Sequence, residues 1–108
     1  MEIRNLNPEK GRLELSGGIY YFYYNPLKHL QSSEITLEVE DETIKSFRVS
    51  AGCTSCTKVS AKKVEDKINI KISYDTRNLG NFNKSVNFFA TREKEQLQKI
   101  KIIGMVNS

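Results

Sequence analysis

The chain has 108 residues, 38% hydrophobic and 28% charged, with a formal net charge of +4 at pH 7. That length holds one two-layer core, so a single domain over residues 1–108 is expected, and the balance of apolar and charged residues excludes a disordered chain. No apolar run approaches the roughly 20 residues that cross a bilayer, and the basic residues are dispersed, with pairs such as Lys62-Lys63 but no cluster to track phosphates, so neither membrane nor nucleic acid is an expected partner.

The segment Met1–Pro8 lacks the apolar core of a signal peptide, so a product made in the cytoplasm is expected; a bacterial periplasmic setting is the alternative if a leader has been removed. Leu13 and Leu15 predict a short first strand closed by Ser16-Gly17-Gly18, and Ile19 to Asn25 predict a second. In Tyr20-Tyr21-Phe22-Tyr23-Tyr24 both faces are aromatic, because successive strand side chains point to opposite sides. One set fills the core while the other lies near the surface. Tyr20, Tyr21, Tyr23 and Tyr24 are therefore the candidate partner-binding residues, although tyrosines with wet hydroxyls also simply tolerate a strand surface.

Asn25-Pro26 stops that strand, and Leu27 to Ser33 read as a loop. Ile35, Leu37 and Val39 alternate with Thr36, Glu38 and Glu40, the pattern of a half-buried strand with a charged outer face. Asp41-Glu42 turns into a strand over Thr43 to Ser50, on which Phe47 and Val49 share a face. A short strand is expected around Val59. Ile68, Ile70, Ile72 and Tyr74 form the cleanest period-2 pattern and predict a central strand. It ends at Asp75-Thr76, the chain crosses over at Gly80, and Val86, Phe88 and Ala90 continue the alternation. Thr91 to Gln96 form a polar turn before the last strand, Leu97 to Val106. No amphipathic helix of normal length is present. Seven to eight short strands at regular spacing predict an all-β fold, an immunoglobulin-like antiparallel β-sandwich whose core includes Ile68, Ile70, Ile72, Tyr74, Val86, Phe88, Ile100 and Ile102.

Cys53 and Cys56 carry the one spacing with chemical meaning. A structural zinc needs four ligands, and the chain offers two cysteines and His29, so a complete site within one molecule is not expected. A redox dithiol or a soft-metal site for Cu(I) is a second reading, although no thioredoxin-like βαβ pattern follows. Half-buried thiols that shape a tight loop are the third. His29, in a polar loop without a neighbouring carboxylate, reads as solvated. Asp75 reads as a turn residue accepting backbone hydrogen bonds. The serines fit no nucleophile elbow or triad, and no phosphate-cradling glycine loop occurs, so no catalytic residue and no cofactor is expected.

Three segments, Gly52-Cys53-Thr54-Ser55-Cys56-Thr57, Tyr74-Asp75-Thr76 with Gly80-Asn81-Phe82-Asn83-Lys84, and Gly104-Met105-Val106, occur in that order. From about Tyr20 to Val106 the chain resembles a bacterial domain family of unknown function. That family is marked by a Cys-Gly-Cys-Thr motif, an aromatic-Asp-Thr-x-x-x-Gly-x-Phe-x-Lys segment and a terminal Gly-x-Val strand. The chain departs from it in two loops, at Asn25-Pro26-Leu27 and in the cysteine segment. Such domains are similar to the abnormal-spindle/hydin and major-sperm-protein sandwiches, and the resemblance implies a binding or assembly module without a reaction. The expected function is thus a non-enzymatic structural or interaction module. Its expected partners are the protein subunits of a larger assembly. The Lys-, Ile- and Asn-rich composition suits an AT-rich genome, and the expected setting is a bacteriophage virion, as a head or tail accessory protein. The alternative is a bacterial thiol-redox or copper-handling protein using Cys53 and Cys56.

Overall fold

Alternation of apolar residues along the chain produces ten strands and no helix in the computed structural model, which describes residues 1–108. They are β1 (Ile3–Asn5), β2 (Gly11–Ser16), β3 (Ile19–Tyr24), β4 (Leu27–Lys28), β5 (Ile35–Glu40), β6 (Ser46–Ala51), β7 (Thr57–Val64), β8 (Lys67–Tyr74), β9 (Gly80–Thr91) and β10 (Glu95–Asn107). One sheet has the order β1-β5-β8-β7; the other runs β2-β3-β10-β9-β6, with β4 also pairing β10. The predicted sandwich is the observed one, with a strand count above the seven to eight expected. The extra elements are the short β1 and β4.

The core lies between the sheets and is built from every second residue. Ile35, Leu37 and Val39 on β5 lie beside Ile70 and Ile72 on the neighbouring β8, while Phe22, Val86, Phe88, Ile100 and Ile102 line the opposite sheet, all fully buried. Ile68 is also buried, so the predicted core stands; Tyr74, half-buried at the end of β8, packs against it from the edge. The central position predicted for that strand holds, since β8 lies between β5 and β7.

Three local readings need correction. Leu27 and Lys28 are not loop: they pair with Val106 and Asn107. Between Tyr23↔Ile103 and Leu27↔Val106 the first strand advances four residues and β10 three. The extra residue falls at Asn25-Pro26, where proline has no N–H to give the ladder. The strand expected from Thr43 begins only at Ser46, because the Asp41 carboxylate accepts from the backbone N–H of Thr43 at 3.0 Å and from its hydroxyl at 2.6 Å, which holds the turn. The strand expected to be short around Val59 spans Thr57–Val64, supported by pairing with β8 along its whole length. The larger sheet also carries two parallel pairings, β3 and β4 against β10, within its otherwise antiparallel order.

Two segments cross between the sheets at the same end of the sandwich. Gly52 to Cys56 carries the chain from β6 to β7, and Asp75 to Leu79 carries it back from β8 to β9. The Asp75 N–H donates to the Cys56 carbonyl at 2.7 Å and ties the crossings together. Gly80, at φ +109°, has a backbone conformation that side-chain-bearing residues rarely adopt.

Candidate functional site

The motif residues converge on one point. Phe82 lies on the inner face of β9, buried, and the Tyr74 ring stacks on it with centroids 3.8 Å apart and planes 12° from parallel. Gly104 sits opposite Phe82 in the β9–β10 ladder, and a Cβ there would lie 2.7 Å from the phenyl ring. Tyr24 meets Phe82 edge-on at 5.9 Å. The aromatic-Asp-Thr, Gly-x-Phe-x-Lys and Gly-x-Val segments therefore specify one packing cluster that closes this end of the core.

Hydrogen bonds secure the loops around it. Ser33, buried, donates its hydroxyl to the Tyr74 carbonyl and accepts from the Tyr74 N–H at 2.9 Å, while its own carbonyl accepts from the Tyr24 hydroxyl at 2.8 Å. Thr76, also buried, donates to the Gln31 carbonyl at 2.7 Å. Asp75 is the turn residue predicted: it accepts from the Arg77 backbone N–H at 2.9 Å and from Arg77 Nε at 2.6 Å. The Arg77 side chain and then its backbone N–H hold the Asp75 carboxyl below the usual carboxylate range. His29 is exposed as expected, but it is engaged: Nε2 lies 2.9 Å from the Arg77 carbonyl, and its backbone N–H donates to Asn107.

Cys53 and Cys56 form a disulfide, which corrects the picture of two separate half-buried thiols. Their Cα atoms are 5.7 Å apart, inside the usual span of about 4.4–6.8 Å for such a bridge. Thr57 N–H bonds the Cys53 carbonyl at 2.9 Å, and Asp75 N–H bonds that of Cys56, so main-chain bonds hold both residues independently of the sulfurs. A bridge closing so short a loop removes only about 2 kcal/mol of chain entropy from the unfolded state. Beside it lies a cleft of about 200 Å³ lined by Ser55, Cys56, Lys58, Ser73, Tyr74 and Asp75. A larger cleft of about 490 Å³ lies at the other end, between Thr43, Lys45, Arg92, Glu93, Lys94 and Gln96, with no apolar wall. No three His, Cys, Asp or Glu side chains gather where they could share an ion.

The four candidate tyrosines divide by strand parity. Tyr20 and Tyr24 are 6% and 7% exposed, so as partner-binding residues they are corrected: both rings belong to the core. Tyr20 accepts the Ile3 N–H at 3.1 Å and so links the two sheets. Tyr21 and Tyr23 lie on the outer face of the larger sheet, half-buried, stacked at 6.2 Å. Arg12 of β2 sits 4.5 Å over the Tyr23 ring. Ile103 is directly across from Tyr23, and Met105, 41% exposed, follows on the same face. Across that face, Phe89 pairs with the exposed Leu97 and lies under Arg48 at 3.8 Å. The sequence reading missed Phe89 and Arg48; the signal was register, since Phe89 puts an aromatic ring at an outward position between the inward Phe88 and Ala90. The outer face of the smaller sheet is different: Glu38 lies between Arg4 at 3.7 Å and Lys67 at 3.8 Å.

No protein-family model matches the chain, and no curated protein matches it. Among solved structures, it is similar to the ASH/PapD-like domain of human CEP192 (PapD-like domain 7), with a TM-score of 0.58 and 12% identity over 99% of this chain and 84% of that one. At that identity the likeness is one of fold, and it agrees with the immunoglobulin-like sandwich built above.

Proposed function

We propose that the chain is a non-enzymatic immunoglobulin-like module that binds other protein subunits through the outer face of its six-stranded sheet. The contrast between the two outer faces carries this reading. One is ion-paired around Glu38; the other offers Tyr21, Tyr23, Ile103 and Met105, with Arg12 laid over Tyr23. Aromatic rings and arginine supply much of the binding energy at protein interfaces, because they bury large areas with few rotatable bonds.

The assembly we infer is a bacteriophage particle, with the chain as a head or tail accessory protein; its Lys-, Ile- and Asn-rich composition supports that setting. Kinship with the bacterial Cys-Gly-Cys-Thr family belongs to the same proposal, supported by the meeting of its motif segments around Phe82. Crosslinking or cryo-EM of the native assembly tests it. The expected result is a subunit seated over Tyr21 and Tyr23. A protein that stays monomeric at high concentration in its native extract, with that face bare, overturns it.

A further inference from the structure

We propose that the Cys53–Cys56 disulfide is a redox-active bond that exchanges with a dithiol of a partner, a function separate from the aromatic face. Three observations on the bridge lead there. It lies in the loop between β6 and β7 with both cysteines half-buried, so an external thiol has access. Its backbone is held by the bonds from Thr57 N–H and Asp75 N–H, with a further bond from Gly52 N–H to the Ser85 carbonyl at 2.9 Å. The fold therefore accommodates both the bridged and the dithiol forms with little backbone movement.

The third observation is that each sulfur has a hydroxyl neighbour, in an exposed contact at Cys53 and a half-buried one at Cys56. Ser55 Oγ lies 3.5 Å from Cys53 Sγ at the exposed side, whereas Thr57, 2% exposed, donates to Cys56 Sγ at 3.9 Å from within. Cys56 also shares its cleft with Lys58 and with the Asp75 carboxylate, whose charge Lys58 offsets. A thiolate is the better leaving group when a hydrogen-bond donor stabilises it in a half-buried setting, as Thr57 does for Cys56. Attack is thus directed to Cys53.

The exchange balances as follows. A thiolate of the partner dithiol bonds to Cys53 Sγ, the Sγ–Sγ bond breaks, and its electron pair leaves on Cys56 Sγ. The partner's second thiolate then attacks the mixed disulfide, closes its own disulfide and releases Cys53. The chain gains two electrons and two protons; the dithiol loses the same.

Dithiothreitol serves as the probe. The oxidised protein should be reduced while folded, at a rate proportional to dithiothreitol concentration, and the reduced form should keep its far-ultraviolet circular dichroism. The variant Cys56→Ser, leaving Cys53 free, should form a mixed disulfide with oxidised glutathione at least tenfold faster than Cys53→Ser. Equal trapping by the two variants overturns the assignment of the attacked sulfur. A reduction rate that is independent of dithiothreitol and equal to the global unfolding rate overturns the proposal, as does a protein whose cysteines stay free in oxidised glutathione. These readouts need no partner subunit, so their failure is distinct from failure of the assembly reading.

Discussion

Tyr74 and Phe82 stack at 3.8 Å although they belong to different sheets, one ending β8 and the other near the start of β9. The Asp75–Leu79 crossing therefore begins and ends on a single aromatic contact. With Gly104 beneath Phe82, this closes one end of the core where the inter-sheet gap would otherwise open to water.

Phe82→Ala should destabilise the protein by about 3–5 kcal/mol, since the ring is buried and Tyr24 and Tyr74 cannot fill its space together. Gly104→Ala should cost about 1–3 kcal/mol by overpacking, because the new methyl meets the Phe82 ring at 2.7 Å and the Tyr24 Cβ at 3.0 Å. Urea unfolding of each variant checks both values. A neutral Gly104→Ala would mean that Phe82 has room to move and that the cluster is loosely packed.

Ser33 acts as a side-chain substitute for a strand neighbour, engaging both the N–H and the C=O of Tyr74. Ser33→Ala leaves those two backbone groups without partners and should cost about 1–3 kcal/mol, read as a lowered urea midpoint at unchanged slope. Ser33→Thr keeps the hydroxyl and should lose less.

What was legible in the sequence is what depends on local periodicity. Ile68, Ile70 and Ile72 alternate with polar residues, and a period of two leaves one assignment of faces; all three are buried. The same rule splits the tyrosines into two pairs, but only the packed sheets show that Tyr21 and Tyr23 are the outer one. The features that escaped are set by distant partners. Leu27 and Lys28 are strand only because Val106 and Asn107 lie alongside, and Ile3–Asn5 only because β5 offers an edge. All four tyrosines could not serve one surface, because parity sends Tyr20 and Tyr24 inward. The role of Gly104 was hidden because its reason is the Phe82 ring on the neighbouring strand, more than 20 residues away in sequence. Chemistry at Cys53 and Cys56 could not be read from spacing, since the same Cys-x-x-Cys serves metals, thiols and bridges alike.

Tyr24 supplies a pH test. Burial, and then the Glu34 carboxylate, push its phenol well above the ordinary value of 10.0. In the unfolded chain the phenol ionises near that ordinary value, so above about pH 10 the folded state holds a proton that the unfolded state has lost. The stabilisation is whole below that pH and declines as pH rises through it. The melting temperature should therefore fall on the alkaline side, and Tyr24→Phe should flatten that limb. The same variant should lose about 0.5–1.5 kcal/mol at neutral pH, from the bond to the Ser33 carbonyl. An alkaline limb unchanged in Tyr24→Phe would assign the transition to Tyr74, whose phenol is also pushed upward by burial and then by Asp75.

The aromatic face predicts a separation of stability from association. Tyr21 and Tyr23 are half-buried and face out, so Tyr21→Ser with Tyr23→Ser removes stacking at 6.2 Å and the Arg12 contact but opens no core cavity. Lost cross-strand and cation–ring interactions should together amount to about 1–2 kcal/mol, leaving the fold intact. Incorporation into the native assembly should drop at least tenfold, because a tyrosine that acts as an interface hot spot carries about 2 kcal/mol or more, and about 1.4 kcal/mol is a decade in affinity. As a control, Glu38→Gln on the opposite face should leave incorporation unchanged while disturbing its pairing with Arg4 and Lys67. Thermal melts beside a sedimentation or co-purification assay separate the two effects. If the double tyrosine variant assembles normally and Glu38→Gln does not, the binding face is the ion-paired sheet.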